Sequence, residues 1–112
     1  MPHVKSLEAG NIFAQIDARP PLMRQATART YIGSEVDWPM IYRDGYELSS
    51  GWVRLLFTPE RKSLQMIAGT AALSDYPQLK RLQVGAAVRV CGTISKVEAL
   101  QIELDIRRLT FL

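Results

Sequence analysis

Residues 82–94, "LQVGAAVRVCGTI", decide the fold, because a regular strand there gives up one of its core positions. Val88, Val90 and Ile94 alternate with polar or small residues, yet Gly92 stands where the next inward side chain belongs. Glycine inside a strand marks a sharp bend or a place where another backbone comes close. The flanking segments show which kind of sheet needs such a device.

From Glu35 onward the apolar period is two, the spacing of a strand with one buried face. "EVDWPMIY" places Val36, Trp38, Met40 and Tyr42 together, and Pro39 indicates an edge or a bulge because it cannot donate to a ladder. Asp44-Gly45 reads as the turn that ends this strand. "WVRLLFT" sets Val53, Leu55 and Phe57 against Trp52, Arg54 and Leu56. The turn "PERK" leads into "SLQMIAGTA", with Leu64, Met66 and Ala68 alternating against Ser63, Gln65 and Ile67. A short helix is predicted next: Ser74 or Asp75 caps it, Pro77 occupies its first turn, Leu79 and Leu82 face inward, and Gly85 stops it. Two strands close the chain, "AAVRVCGTISKVE" and "LQIELDIRRLTFL". In the last one the alternation slips by one residue at Arg107–Arg108, the mark of a β-bulge.

Before the strands, residues 6–18 place Ala9, Ile12, Phe13 and Ile16 at helical spacing, with Ser6 as cap and Pro20–Pro21 as the stop. Pro21 opens a second short helix that Gly33 follows. The expected organisation is therefore a helical extension over residues 1–30 and a β-barrel over residues 31–112.

The order of three strands, a short helix and two strands resembles the OB-fold, a five-stranded Greek-key barrel. "VGAAVRVCGTISKV" resembles the fourth strand of such domains, and Gly92 is then a residue of barrel curvature. The opening "YIGSEVDW", the Gly-x-x-Val entry and an aromatic near the end of the last strand are similar to loosely defined bacterial OB domains of the tRNA-anticodon-binding type. This resemblance implies a binding surface across strands two and three and the adjoining loops. On this chain that surface holds Arg43, Tyr46, Trp52, Arg54, Arg61, Lys62, Gln65 and Lys96. Positive charge and exposed aromatics are what single-stranded DNA or RNA requires. Asp44, Glu47 and Glu60 interrupt the basic residues, and Trp52 has an alternative role as a cover for the barrel beneath the helices. Trp38 shares a face with Val36 and Met40 and belongs to the core.

Composition narrows the remaining functions. The 112 residues fit one domain, with 47% hydrophobic and 22% charged residues and a net charge of +3. The mild basicity permits a polyanionic partner without requiring one. One cysteine, Cys91, and one histidine, His3, allow neither an internal disulfide nor a cysteine-based metal cluster. Cys91 lies within an alternating strand and reads as a small filler. No apolar run reaches the ~18 residues of a membrane span, and the N-terminus lacks a secretory apolar core. The expectation is a cytoplasmic binding module without cofactor, metal or membrane partner and without catalytic activity. A protein partner or a second copy, met through the N-terminal helices (Ile12, Phe13, Ile16, Leu22, Met23) or a sheet edge, is the alternative to nucleic acid.

Overall fold

The computed structural model describes residues 8–112, so the Ser6 cap and His3 lie outside the described residues. Five strands form a closed barrel: β1 (Glu35–Ser49), β2 (Trp52–Thr58), β3 (Met66–Ala72), β4 (Ala87–Val97) and β5 (Gln101–Phe111). Around the barrel they run β1-β2-β3-β5-β4, and β4 returns to β1. The β3–β5 pair is parallel and the other pairs are antiparallel. This is the OB-type Greek-key barrel.

One long strand makes closure feasible. Residues 35–41 of β1 pair with β4, and residues 41–49 pair with β2. Pro39 sits in the half that has only β4 beside it. The Tyr42 N–H donates to the Ala86 carbonyl at 2.9 Å, so even-numbered residues here point their donors toward β4. Odd-numbered Pro39 faces the unpaired side, where its missing N–H costs no ladder bond.

Gly92 now has a physical explanation. Cys91 pairs with Arg108 and Gly92 with Ile106, so Arg107 is the extra residue of a β-bulge in β5. The bulge pushes the β5 main chain toward β4. A Cβ on Gly92 would stand 2.5 Å from the Asp105 carbonyl oxygen and 3.2 Å from the Ile106 Cα. The glycine in β4 and the slipped alternation in β5 are therefore one feature seen from two strands.

The barrel interior follows the predicted alternation through Val36, Trp38, Met40 and Tyr42, then Val53, Leu55 and Phe57, all buried. Val88, Val90, Ile94, Ile102, Leu104 and Leu109 complete it. On β3 the phase is the reverse of the expected Leu64, Met66 and Ala68 row: the inward residues are Ile67, Gly69 and Ala71, the partners of Phe57, Leu55 and Val53. Leu64 lies before the strand and is 84% exposed, because the turn after Thr58 is longer than its polar core "PERK" suggests.

Two elements differ from expectation. Asp44-Gly45 is not a turn: β1 runs through it to Ser49, and Ser50–Gly51 make the hairpin, with Gly51 at φ 80°. A bulge at Arg43 absorbs the irregularity, and Gly45 leaves room for the Tyr42 ring, whose hydroxyl a Cβ would strike. Between β3 and β4 there is no α-helix but a 3-10 turn, Pro77–Arg81, that buries Leu79. Leu82 is already extended, and Gly85, at φ 95°, donates to the Tyr42 carbonyl at 2.8 Å, so the chain has no length for a longer helix.

Both α-helices are N-terminal: α1 (Ala9–Asp17) and α2 (Pro21–Arg29). On α1, Ala9, Ile12, Phe13 and Ile16 join the same core as the barrel. Each large one contributes about 1.5–3 kcal/mol of burial. In contrast, α2 buries only Ala28, leaving Leu22 96% exposed and Met23 exposed. Gly33 (φ 93°) donates to the Ile94 carbonyl at 2.8 Å and joins the helices to β4.

Candidate nucleic-acid interface

With Val53, Leu55 and Phe57 inside, β2 must present Trp52, Arg54 and Leu56 outside. The register then builds an outer row of Tyr46, Arg54, Thr70 and Asp105 across β1, β2, β3 and β5. Trp52 stands one row further along, opposite Ser49 and Ala72. Trp52 and Tyr46 are each 51% exposed, so Trp52 does not cover the barrel beneath the helices. Trp38, by contrast, is buried in the core as its alternation implies.

The cations on this face are mostly committed. Arg54 is ion-paired with Glu103 on β5, and both are only about a quarter exposed. The Gln101 amide donates to the same carboxylate. Lys96 stands across from Glu103 in the β4–β5 ladder and pairs with Glu98 at 2.9 Å. The hydrogen bond to Glu98 holds the Lys96 ammonium above its ordinary pKa, with the charges of Glu98 and Glu103 adding to it. Arg43, the bulge residue of β1, is exposed. Arg61 and Lys62 lie in the β2–β3 turn, past the far end of β2, roughly 20 Å or more from Trp52 at ~3.3 Å per residue. Gln65 is half-buried in that turn, its N–H bonded to the Ser63 hydroxyl. Of the expected residues, Tyr46, Trp52 and Arg54 come together, Lys96 joins through Glu103, and Arg61 and Lys62 stand apart.

Beside Trp52 is a groove of about 460 Å³ that the strand pattern did not reveal. It opens where β3 and β5 diverge, beyond the Thr70–Asp105 pair. Leu48, Trp52, Asp75, Tyr76, Asp105 and Arg107 are among the residues that line it. The Tyr76 hydroxyl accepts from the Leu109 N–H at 3.2 Å and lies 3.5 Å from the Arg107 carbonyl, to which it donates. It thereby satisfies main-chain groups of β5 that have no strand beside them. Its ring packs edge-on against Phe111. Arg107 pairs with Glu35 at 2.9 Å, whereas Asp75 and Asp105 take part in none of the ion pairs among the described residues. The lining therefore combines two aromatic residues, Trp52 and Tyr76, with two carboxylates outside those ion pairs and one arginine held by Glu35.

The opposite face, over β1, β4 and β5, is ordinary solvated sheet. Arg89 pairs with Asp37 at 2.7 Å, and the Arg108 guanidinium lies 3.7 Å from the Cys91 sulfur. Burial, followed by the hydrogen bond to Asp37, pushes the Cys91 thiol up from its usual pKa, away from nucleophilic character. Among the described residues no group of three or more His, Cys, Asp or Glu is placed to hold a metal ion. No helix among them is long and apolar enough to cross a membrane.

No protein-family model matches the sequence, and no curated protein matches it. Solved structures do match in shape. A protein of Klebsiella pneumoniae subsp. pneumoniae MGH 78578, provisionally named a nucleic acid-binding lipoprotein, superposes with a TM-score of 0.62 at 11% identity, covering 100% of this chain and 99% of that one. A provisionally assigned aspartyl-tRNA synthetase of Leishmania major Friedlin superposes with a TM-score of 0.56 at 13% identity, covering 88% of this chain. The match spans only 19% of the synthetase chain. What this chain shares with both, at such identities, is the fold of the barrel.

Proposed function

We propose that this chain is a non-catalytic binding module that takes single-stranded nucleic acid across the outer face of β1, β2 and β3. The observation that carries the reading is the half-exposed Trp52 beside Tyr46 on a barrel face that nothing among the described residues covers. Bases stack on such side chains for about 1–3 kcal/mol each, with little regard to sequence. The provisional name of the Klebsiella barrel and the synthetase origin of the other point the same way.

The charge arrangement sharpens the expectation. With Arg54 and Lys96 held by acids, one or two cations such as Arg43 remain on this face, among the described residues, to meet phosphates. For single strands the salt slope is about −0.7 per phosphate contact, so affinity falls only about 3–7-fold between ~50 and ~200 mM salt. Fluorescence anisotropy of labelled dT10 and rU10 tests this, with Trp52→Ala expected to lose about tenfold or more in affinity. Absence of binding at tens of micromolar protein at ~50 mM salt overturns the reading.

The second reading is a protein partner or another copy of the chain, favoured by one observation: Leu22, 96% exposed, and the exposed Met23 beside it on α2. It predicts a concentration-dependent mass in sedimentation that Leu22→Ser abolishes, or a partner whose binding that substitution removes.

A further inference from the structure

We infer that the groove between the diverging ends of β3 and β5 is a base-selective subsite that prefers guanine. This rests on the nucleic-acid reading above and adds selectivity to it. The groove, about 460 Å³, is large enough for a single nucleobase, given that one water takes up ~30 Å³ of liquid. Trp52 lines it together with Tyr76 and remains 51% exposed, leaving ring surface for stacking. Asp75 and Asp105 also line it, and neither takes part in an ion pair among the described residues, so both offer carboxylate oxygens that can accept.

Asp75 is carried close to the tryptophan by the local chain. Ala72 is the cross-strand partner of Trp52, and the Asp75 N–H donates to the Ala72 carbonyl at 3.1 Å. Asp105 stands on β5, opposite Thr70, at the last pair before the strands part. Ionised carboxylates only accept hydrogen bonds. Among the bases only guanine offers two adjacent donors on its Watson–Crick edge, the ring N1–H and the exocyclic amine, and one carboxylate can accept both. Adenine and cytosine each offer a single amino donor beside a ring acceptor that a carboxylate repels. Thymine and uracil place their one N–H between two carbonyls. Asp75 and Asp105 repel phosphate and the one arginine of the lining, Arg107, is engaged by Glu35, so the nucleotide enters base-first, with its backbone on the outer face beside Tyr46.

The test is anisotropy of a labelled dT10 against the same oligonucleotide with one central guanine, inosine or adenine. Guanine is expected to tighten binding about tenfold, within the ~1–3 kcal/mol of a good bidentate pair. Inosine, which lacks the exocyclic amine, should lose most of that gain, and adenine should show none. Asp75→Asn or Asp105→Asn should remove the guanine preference, read as the ratio of guanine-containing to dT10 affinity within each variant so that the lost negative charge cancels, because an amide cannot accept both donors. Equal affinities for all four oligonucleotides, or a guanine preference intact in both variants, overturns the subsite while dT10 binding keeps the general reading. A basic hexapeptide that binds through Asp75 or Asp105, with no guanine preference, overturns it in favour of a cationic ligand. If no oligonucleotide binds, both readings fail together.

Discussion

Gly92 and Gly10 make opposite predictions from the same substitution. A Cβ at Gly92 meets the Asp105 carbonyl at 2.5 Å, and a main-chain atom in a closed barrel has nowhere to go. Gly92→Ala should cost about 3 kcal/mol or more, the upper range for overpacking, read as a lowered denaturation midpoint. Gly10 lies in α1 with nothing within 4 Å of an added Cβ, so Gly10→Ala should stabilise by up to ~1 kcal/mol through helix propensity. Cys91 gives a chemical prediction at the same scale. Its thiol titrates above the usual value because burial and the Asp37 carboxylate disfavour the thiolate. Alkylation by iodoacetamide at pH 8 should be slower than for free cysteine. Asp37→Asn should speed it, since the acid that opposes ionisation is gone.

At the scale of elements, the strands were legible wherever burial alternates cleanly, as in Val36–Tyr42 and Val53–Phe57, and the bulge showed as a slipped phase at Arg107–Arg108. Asp44-Gly45 misled because glycine there serves the passage of the Tyr42 ring rather than a turn, a long-range cause with no local mark. The segment after β3 carries helix signals at Pro77, Leu79 and Leu82, but the tether from Gly85 to Tyr42 sets its length. The candidate site was half legible. Trp52, Tyr46 and Arg54 follow from strand parity, whereas the pairing of Arg54 with Glu103 joins residues 49 apart and depends on the parallel β3–β5 contact. Asp75 and Asp105 enter the site only because β3 and β5 diverge. That ion pair predicts a gain from a substitution on β5. Glu103→Gln frees Arg54 and relieves Lys96, so single-strand affinity at ~50 mM salt should rise a few-fold and the salt slope should steepen by about 0.7 per cation released. The same measurements on Arg54→Ala should show little change in slope.

For the whole molecule, α1 is part of the barrel's core rather than an attachment to it. Phe13 is 1% exposed and sits in one cluster with Phe57, Val88 and Ile102. Phe13→Ala should therefore cost about 3–5 kcal/mol and lower the midpoint of the entire unfolding transition, with no separate early phase. The far side of α2 behaves differently: Leu22→Ser should leave stability within ~0.5 kcal/mol. Among the described residues the Trp52–Tyr46 face and the α2 tip both stand uncovered, and the proposed nucleic-acid site is the first. Amide chemical-shift mapping with unlabelled dT10 decides between them directly. Perturbations are expected over residues 43–56 and 70–76 and along the first half of β5, with α2 unmoved. Perturbations confined to α2, or to the β2–β3 turn around Arg61 and Lys62, would contradict the proposed site.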